Sequence, residues 1–263
     1  MYEKNRRPAR PAAAAPAEET EGQLEGRNAL QEALRSGRTV DKVFIAAGEI
    51  DRGLQRLAAE AKEAGAVVVP VDRRKLDAMS FTHAHQGVIA LAAAHVYYSI
   101  DDILEEAASR GEAPLIVICD ELSDPHNLGA ILRSAECAGA HGVIIPKRRS
   151  VGLTATVAKA SAGAVEYMKV ARVTNISAAI AELKQKGVWV FGTAAEGSIP
   201  MYQADLSGPV AIVIGSEGDG MSQLVRKNCD VMVNIPMKGR ISSLNASAAA
   251  SILLYEALRQ RLG

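Results

Sequence analysis

Five short apolar runs constrain this chain more than any other feature. They lie at 115–119, 142–145, 188–192, 210–214 and 231–235, four or five mostly apolar residues each, without the polar alternation of a half-solvated strand. A strand with one wet face alternates, whereas a continuous run is covered on both faces. Stretches with apolar residues at helical spacing follow or separate them, at 128–138, 155–160, 176–186, 221–228 and 244–261. Alternating helices and two-sided strands predict an α/β fold with a parallel sheet. Ligands of such sheets bind beyond the carboxyl ends of the strands, where the polar and glycine-rich segments of this chain fall.

A smaller α/β unit precedes it. The pattern predicts a helix over 28–34, a strand over 42–46, a helix over 54–64 ending at Gly65, a strand over 67–69, a helical turn over 73–79 and a closing strand over 88–93. This sheet is expected to be mixed or parallel. The Pro/Ala-rich residues 1–21 read as a disordered tail. The expected division is therefore 1–21 as tail, 22–96 as a small domain, 97–112 as a linker and 113–263 as a larger domain. The linker holds a polar amphipathic helix (Ile100, Ile103, Leu104, Ala107) and the breaker Ser109-Arg110-Gly111.

Basic and acidic residues number 30 each, so no global field draws the chain to nucleic acid. Any such binding rests on local groups: Arg73-Arg74-Lys75, Lys147-Arg148-Arg149, Lys238 with Arg240, and Arg27, Arg35 and Arg38. Each run taken alone reads as a solvated turn or helix face. Cys119, Cys137 and Cys229 are odd in number and lack metal-ligand spacing. Cys119 ends an apolar run and reads as a buried small hydrophobe. His83 and His85 stand apart from suitable partners, so no metal site is expected. Neither a membrane-length apolar run nor an apolar signal core is present; a reducing cytoplasm is the expected location.

Three segments can carry chemistry. Residues 120–134 follow a strand and open a helix whose buried stripe is Leu128, Ile131, Leu132, Ala135 and Ala138. Arg133 lies one turn after Gly129 on the same flank, where the missing side chain leaves room for an anion. Pairing with Glu136 or Asp120 is an equal alternative. Residues 213–221 form a glycine-rich strand-to-helix loop, through which backbone can approach a ligand closely. The segment lacks Gly-x-Gly-x-x-Gly and its partner acid, and the chain lacks Gly-x-x-x-x-Gly-Lys-Ser/Thr. That argues against a nicotinamide oxidoreductase and against a nucleotide triphosphatase. Residues 234–247 run from strand end, through a Gly/Lys/Arg/Ser loop, into a helix beginning at Ser-Leu-Asn. Such a helix start can hold a ligand on free backbone groups. The small residues that follow (Ala246, Ala249, Ala250, with Leu253 and Ala257) favour tight packing, in the chain or across a dimer.

Together these segments resemble the SpoU (TrmH-type) branch of the SPOUT RNA methyltransferases. The resemblance rests on 127–133, on Ile214-Gly215-Ser216-Glu217-Gly218, on Ile235-Pro236-Met237 and on Ser243-Leu244-Asn245, with 256–261 similar to the family's ending. Glu25-Gly26-Arg27-Asn28-Ala29-Leu30 and His85-Gln86-Gly87-Val88 look like the ribosomal-protein-like (L30e-like) RNA-binding domain of many members. The resemblance implies a trefoil-knotted parallel sheet, a homodimer, and S-adenosylmethionine as methyl donor to a ribose 2′-hydroxyl of structured RNA. A guanosine of large-subunit (23S) ribosomal RNA is the expected target. Transfer RNA, or non-catalytic RNA binding by a degenerate domain, are the alternatives. By similarity Gly192, Thr193, Gly215, Glu217, Ile235, Met237 and Leu244 would meet the cofactor. Asn127, Arg133, Glu217, Ser243 and Asn245 match the family's catalytic positions.

Overall fold

The computed structural model describes residues 22–48, 51–92, 95–194, 198–216, 218 and 220–263. The expected tail and Glu217 lie outside the described residues.

The first sheet contains β1 (Gln23–Glu25), β2 (Val40–Ala46), β3 (Val67–Val71) and β4 (Val88–Ala92), in the order β1-β4-β2-β3. It is mixed: β4 runs antiparallel to β1 and β2, while β2 and β3 are parallel. Alternation along β2 sorts its side chains onto two faces. Val43 and Ile45 pack under α1 (Arg27–Arg35) and α2 (Arg52–Glu63), against Leu30, Leu54, Leu57 and Ala61. Phe44 and Ala46 point the other way, toward α3 (Arg73–Met79) and its buried Leu76.

Residues 97–112, expected as a linker, hold α4 (Ile100–Arg110), which packs onto the second sheet. Ser99 and Asp102 form a reciprocal capping box at its start. Ile103 lies over Gly142, where a Cβ would come within 2.5 Å of its side chain.

The second sheet is seven-stranded and parallel throughout. It comprises β5 (Leu115–Cys119), β6 (Gly142–Pro146), β7 (Lys169–Val173), β8 (Trp189–Thr193), β9 (Ile199–Pro200), β10 (Val210–Ile214) and β11 (Val231–Asn234). The order is β7-β6-β5-β10-β8-β11-β9. Leu115, Val117 and Cys119 face α5 (Pro125–Cys137), α6 (Ala155–Ala160) and α9 (Ala246–Leu262). Ile116 and Ile118 face the layer of α4, α7 (Ile176–Gln185) and α8 (Gln223–Asn228). That double cover is why the strands read as unbroken apolar runs.

The two sheets meet at a buried polar cluster. Arg172 of β7 pairs with the Asp41 carboxylate of β2 and also donates to the Asp41 carbonyl at 3.1 Å. The Tyr97 hydroxyl donates to Asp41 Oδ2 (3.2 Å) and accepts from the Leu153 amide (2.8 Å). The Arg172 guanidinium lies 5.2 Å from the Tyr97 ring centre. Both charged side chains are nearly sealed, at 8% and 9% exposure. A Cβ on Gly152 would stand 2.5 Å from Asp41 Oδ2, so only glycine lets the backbone approach here.

Candidate active site

The carboxyl ends of β8, β10 and β11 and the start of α9 enclose a cavity of about 600 Å³. That lies within the range of small-molecule and cofactor sites. Thr193, Gly215, Ile235, Met237, Ser243 and Leu244 all line it. Its wall joins apolar contact (Ile235, Met237, Leu244, Leu253) to exposed backbone and small polar groups. Such a lining suits a nucleoside carrying an aliphatic sulfonium arm.

Local chemistry fixes each wall. After β10 the chain doubles back: the Ser216 amide donates to the Gly220 carbonyl at 3.0 Å, and the Gly220 amide returns the bond at 3.1 Å. A Cβ on Gly215 would lie 2.3 Å from the Gly220 carbonyl carbon, so the turn requires glycine there. Asp120, buried at the end of β5, accepts from the Ser222 amide at 2.8 Å and ties this loop to the central strands. Thr193 anchors its hydroxyl on the Val213 carbonyl (3.0 Å).

The start of α9 is held by Asn245. Its Oδ1 accepts from the amides of Ser247 (3.0 Å) and Ala248 (3.2 Å), capping the helix. Its Nδ2 donates to Asn127 Oδ1 at 2.9 Å. Two of the motif asparagines, 118 positions apart, thus lock α9 to α5. Seven residues along α5, Ser134 meets Ser251 of α9 through their hydroxyls at 2.7 Å. Ala246, Ala250, Leu253 and Ala257 are buried in the core beneath.

Three placements differ from the sequence expectation. Gly129 does not make room for Arg133. A Cβ there would fall 2.4 Å from Ala160 Cβ, so the glycine admits α6 against α5. Arg133 is exposed and pairs with neither Glu136 nor Asp120; among the described residues it holds no ion pair. Nor does it line the cavity of its own chain. Gly192 also lies outside the lining, because Cys229, Met232 and Met221 occupy the space beside its Cα, within 2.9 Å of where a Cβ would stand. Glu217 falls outside the described residues.

Sequence reasoning missed Arg226, Ala194 and Ser242, which also line the cavity, and the anchoring role of Asp120. An acid directly after a fully buried strand was the available signal for the last. Burial pushes the Cys119 thiol up to about 12, with Asp120 adding to the shift, so this cysteine is no nucleophile. Among the described residues no His, Cys, Asp or Glu cluster could hold a metal ion, and no helix is long and apolar enough to cross a membrane.

Residues 114–255 match the SpoU rRNA Methylase family, and residues 23–98 match the RNA 2′-O ribose methyltransferase substrate binding family. A putative TrmH family tRNA/rRNA methyltransferase, YacO of Bacillus subtilis, is 48% identical over 236 residues, covering 90% of this chain and 94% of the relative. The 23S rRNA (guanosine-2′-O-)-methyltransferase RlmB of Ralstonia nicotianae is 44% identical over 240 residues, covering 90% and 95%. The solved structure of AdoMet-bound rRNA methyltransferase from Sinorhizobium meliloti superposes with a TM-score of 0.57 at 26% identity, covering 92% of this chain and 88% of that one. With both halves matched and the cavity walled by the motif residues, the chain belongs to the SpoU/TrmH family of RNA 2′-O-ribose methyltransferases.

Proposed function

We propose that this enzyme methylates the ribose 2′-hydroxyl of a guanosine in large-subunit ribosomal RNA, with S-adenosylmethionine as donor. The observation that carries this reading is the cavity itself, with Gly215, Ile235 and Leu244 in its wall and Ser243 exposed in it. The donor, when bound, supplies an electrophilic methyl group. The protein's own tasks are then positioning, charge management and proton removal.

Gly215, Ile235 and Leu244 present backbone and apolar edges to the donor, with Thr193 and Met237 beside them. Glu217 completes the expected donor set, while Gly192 stands outside the lining. Arg133 keeps its proton, since a guanidinium rarely gives one up. Its exposed fork holds the target's phosphate and ribose and stabilises negative charge developing on the 2′-oxygen. Ser243, at the cavity, passes the released proton to water. Asn127 and Asn245 position the helices that carry these groups.

The reading includes a trefoil-knotted catalytic sheet, an L30e-like domain over 22–96 that binds structured RNA, and a cytoplasmic homodimer. Two facts support the dimer. Ile252 and Tyr255 stand on an uncovered face of α9, at 36% and 51% exposure. Arg133 also does not line its own chain's cavity, which fits its reaching the cavity of a second copy.

Incubating the protein with labelled S-adenosylmethionine and RNA from a strain lacking it, then mapping 2′-O-methyl groups, tests the function. One modified guanosine in 23S RNA is expected. Label confined to transfer RNA would move the substrate to the alternative class, and label in neither would leave a non-catalytic RNA-binding protein.

A further inference from the structure

The first sheet carries three cations, Arg73, Lys75 and Lys42, that form no ion pair among the described residues. At the carboxyl end of β2, Arg27, Arg73, Gln86 and Ala46 line a cleft of about 480 Å³. The loop beside it is tied down by hydrogen bonds. The Glu25 carboxylate accepts from Ser80 (2.7 Å), from the amides of Phe81 (2.8 Å) and Thr82 (3.1 Å), and from the Thr82 hydroxyl. Buried His85 takes the Gly87 amide at 3.0 Å. From this cleft the outward face of β2 runs back through Phe44 to Lys42, about 13 Å at strand rise. The ammonium groups of Lys42 and Lys75 lie 5.9 and 5.8 Å from the Phe44 ring centre. Beyond Lys42, at the junction with the second sheet, Lys147 Nζ lies 3.2 Å from where a Cβ on Gly65 would stand.

The acids of β2 and α3 and of the caps beside them are already engaged: Asp41 with Arg172, Asp77 with His85, Asp51 with Arg27, and Asp72 with the Arg74 amide. Arg73, Lys75, Lys42 and Lys147 are left as a line of charge on a chain whose net charge is zero. A row of cations around an aromatic ring is what a single nucleic-acid strand needs: phosphate neutralisation with a stacking surface. The row leads toward the second sheet at the Lys147 end of β6.

We propose that a single-stranded segment of the substrate RNA lies along this strip, with its backbone on Arg73, Lys75, Lys42 and Lys147 and one base against Phe44. This rests on the reading of the chain as an RNA methyltransferase and names the surface that holds the RNA away from the reacting ribose.

The test uses the full chain and a fluorescein-labelled, unstructured 16-nucleotide RNA, titrated over a range of salt. Arg73→Glu with Lys75→Glu changes two exposed side chains, and Arg35→Glu with Arg38→Glu is the control, on and beside the helix covering the opposite face. The strip predicts binding at least about tenfold weaker for the first pair. Its log–log salt slope falls by about 1.4, that is about 0.7 for each lost single-strand phosphate contact. The control pair and the affinity for S-adenosylmethionine stay at wild-type values. Arg73→Gln with Lys75→Gln, checked by thermal melting, serves if charge reversal disturbs the fold. Wild-type affinity and slope in the Arg73/Lys75 pair, or equal losses in both pairs, would overturn the proposal. Strip-dependent binding without methyl transfer by the wild-type chain would leave the strip standing and remove the enzymatic reading instead.

Discussion

The domain junction and the cavity mouth are both polar, yet they are finished in opposite ways. At the junction, Asp41, Arg172, Tyr97 and the Leu153 amide bond to one another behind nearly complete burial, with the Arg172 Nε left without a hydrogen-bond partner. At the mouth, Ser243, Met237 and Leu244 stand exposed, Ile241 is 75% exposed on the loop between Met237 and Ser243, and Arg133 stands exposed on α5 outside the lining. A buried charge left without its partner is costly, so the junction has to complete itself within the chain. The mouth leaves donors and apolar surface open, and such a surface is completed by a ligand. Closed polarity marks structure here, and open polarity marks function.

Substitutions at the two places break the comparison apart. The largest effect belongs to Arg133. Arg133→Ala is expected to lower kcat by about 10²–10³-fold, the usual loss for a donor aimed at developing charge, while the melting temperature stays put because Arg133 has no partner in the described chain. Arg133→Lys separates charge from geometry in single-turnover assays. Near-normal turnover with Lys would remove the need for a bidentate fork, and loss at every pH supports it.

Asp41→Ala reverses the pattern. Removing one member of a buried pair leaves Arg172 uncompensated and is expected to cost about 3 kcal/mol of stability, measured by denaturant unfolding. The affinity for S-adenosylmethionine is expected to hold in the folded fraction. Equal stability in this variant would mean that the junction is not sealed as described.

The smallest effect is a pH dependence confined to the first sheet. Burial tends to raise the Glu25 carboxyl, but hydrogen bonds from Thr82, Ser80, Phe81 and Gln23 together hold it at about 2 against an ordinary 4.5. A depressed acid contributes stability above its unfolded value and loses it as pH falls through the folded one. The protection factors of residues 80–87, taken against the intrinsic exchange rate at each pH, are therefore expected to fall between about pH 4.5 and 2. Glu25→Gln is expected to flatten that dependence, and an unchanged profile in the variant would assign it to another group.

The central strands could be read from the chain because double cover imposes an unbroken apolar run, as in Leu115–Cys119 and Val210–Ile214. Of the edges, only Val67–Val71 could. The first strand, Gln23–Glu25, has three residues and Ile199–Pro200 has two, too few to display a period. Lys169–Val173 alternates charged and apolar residues beside a strand that covers one of its edges only. The amphipathic helix within residues 97–112 was legible from Ile100, Ile103 and Ala107, which are buried, but its packing onto the second sheet was not. In the site, motif order identified the cavity walls, Thr193, Gly215, Ile235, Met237, Ser243 and Leu244. Spacing along the chain could not show that Asn127 meets Asn245, that Asp120 holds Ser222, or that Ala160 is the reason for Gly129. Those are contacts between elements far apart in sequence, and only the fold creates them.

Calorimetric titration of S-adenosylmethionine into the wild-type chain and into Leu244→Glu tests the central claim most directly. The cavity predicts one donor site per chain in the wild type and loss of that site when a carboxylate is placed in the Leu244 wall, with RNA affinity retained. Absence of donor binding in a wild-type chain that still binds RNA, or unaltered donor affinity in Leu244→Glu, would contradict it.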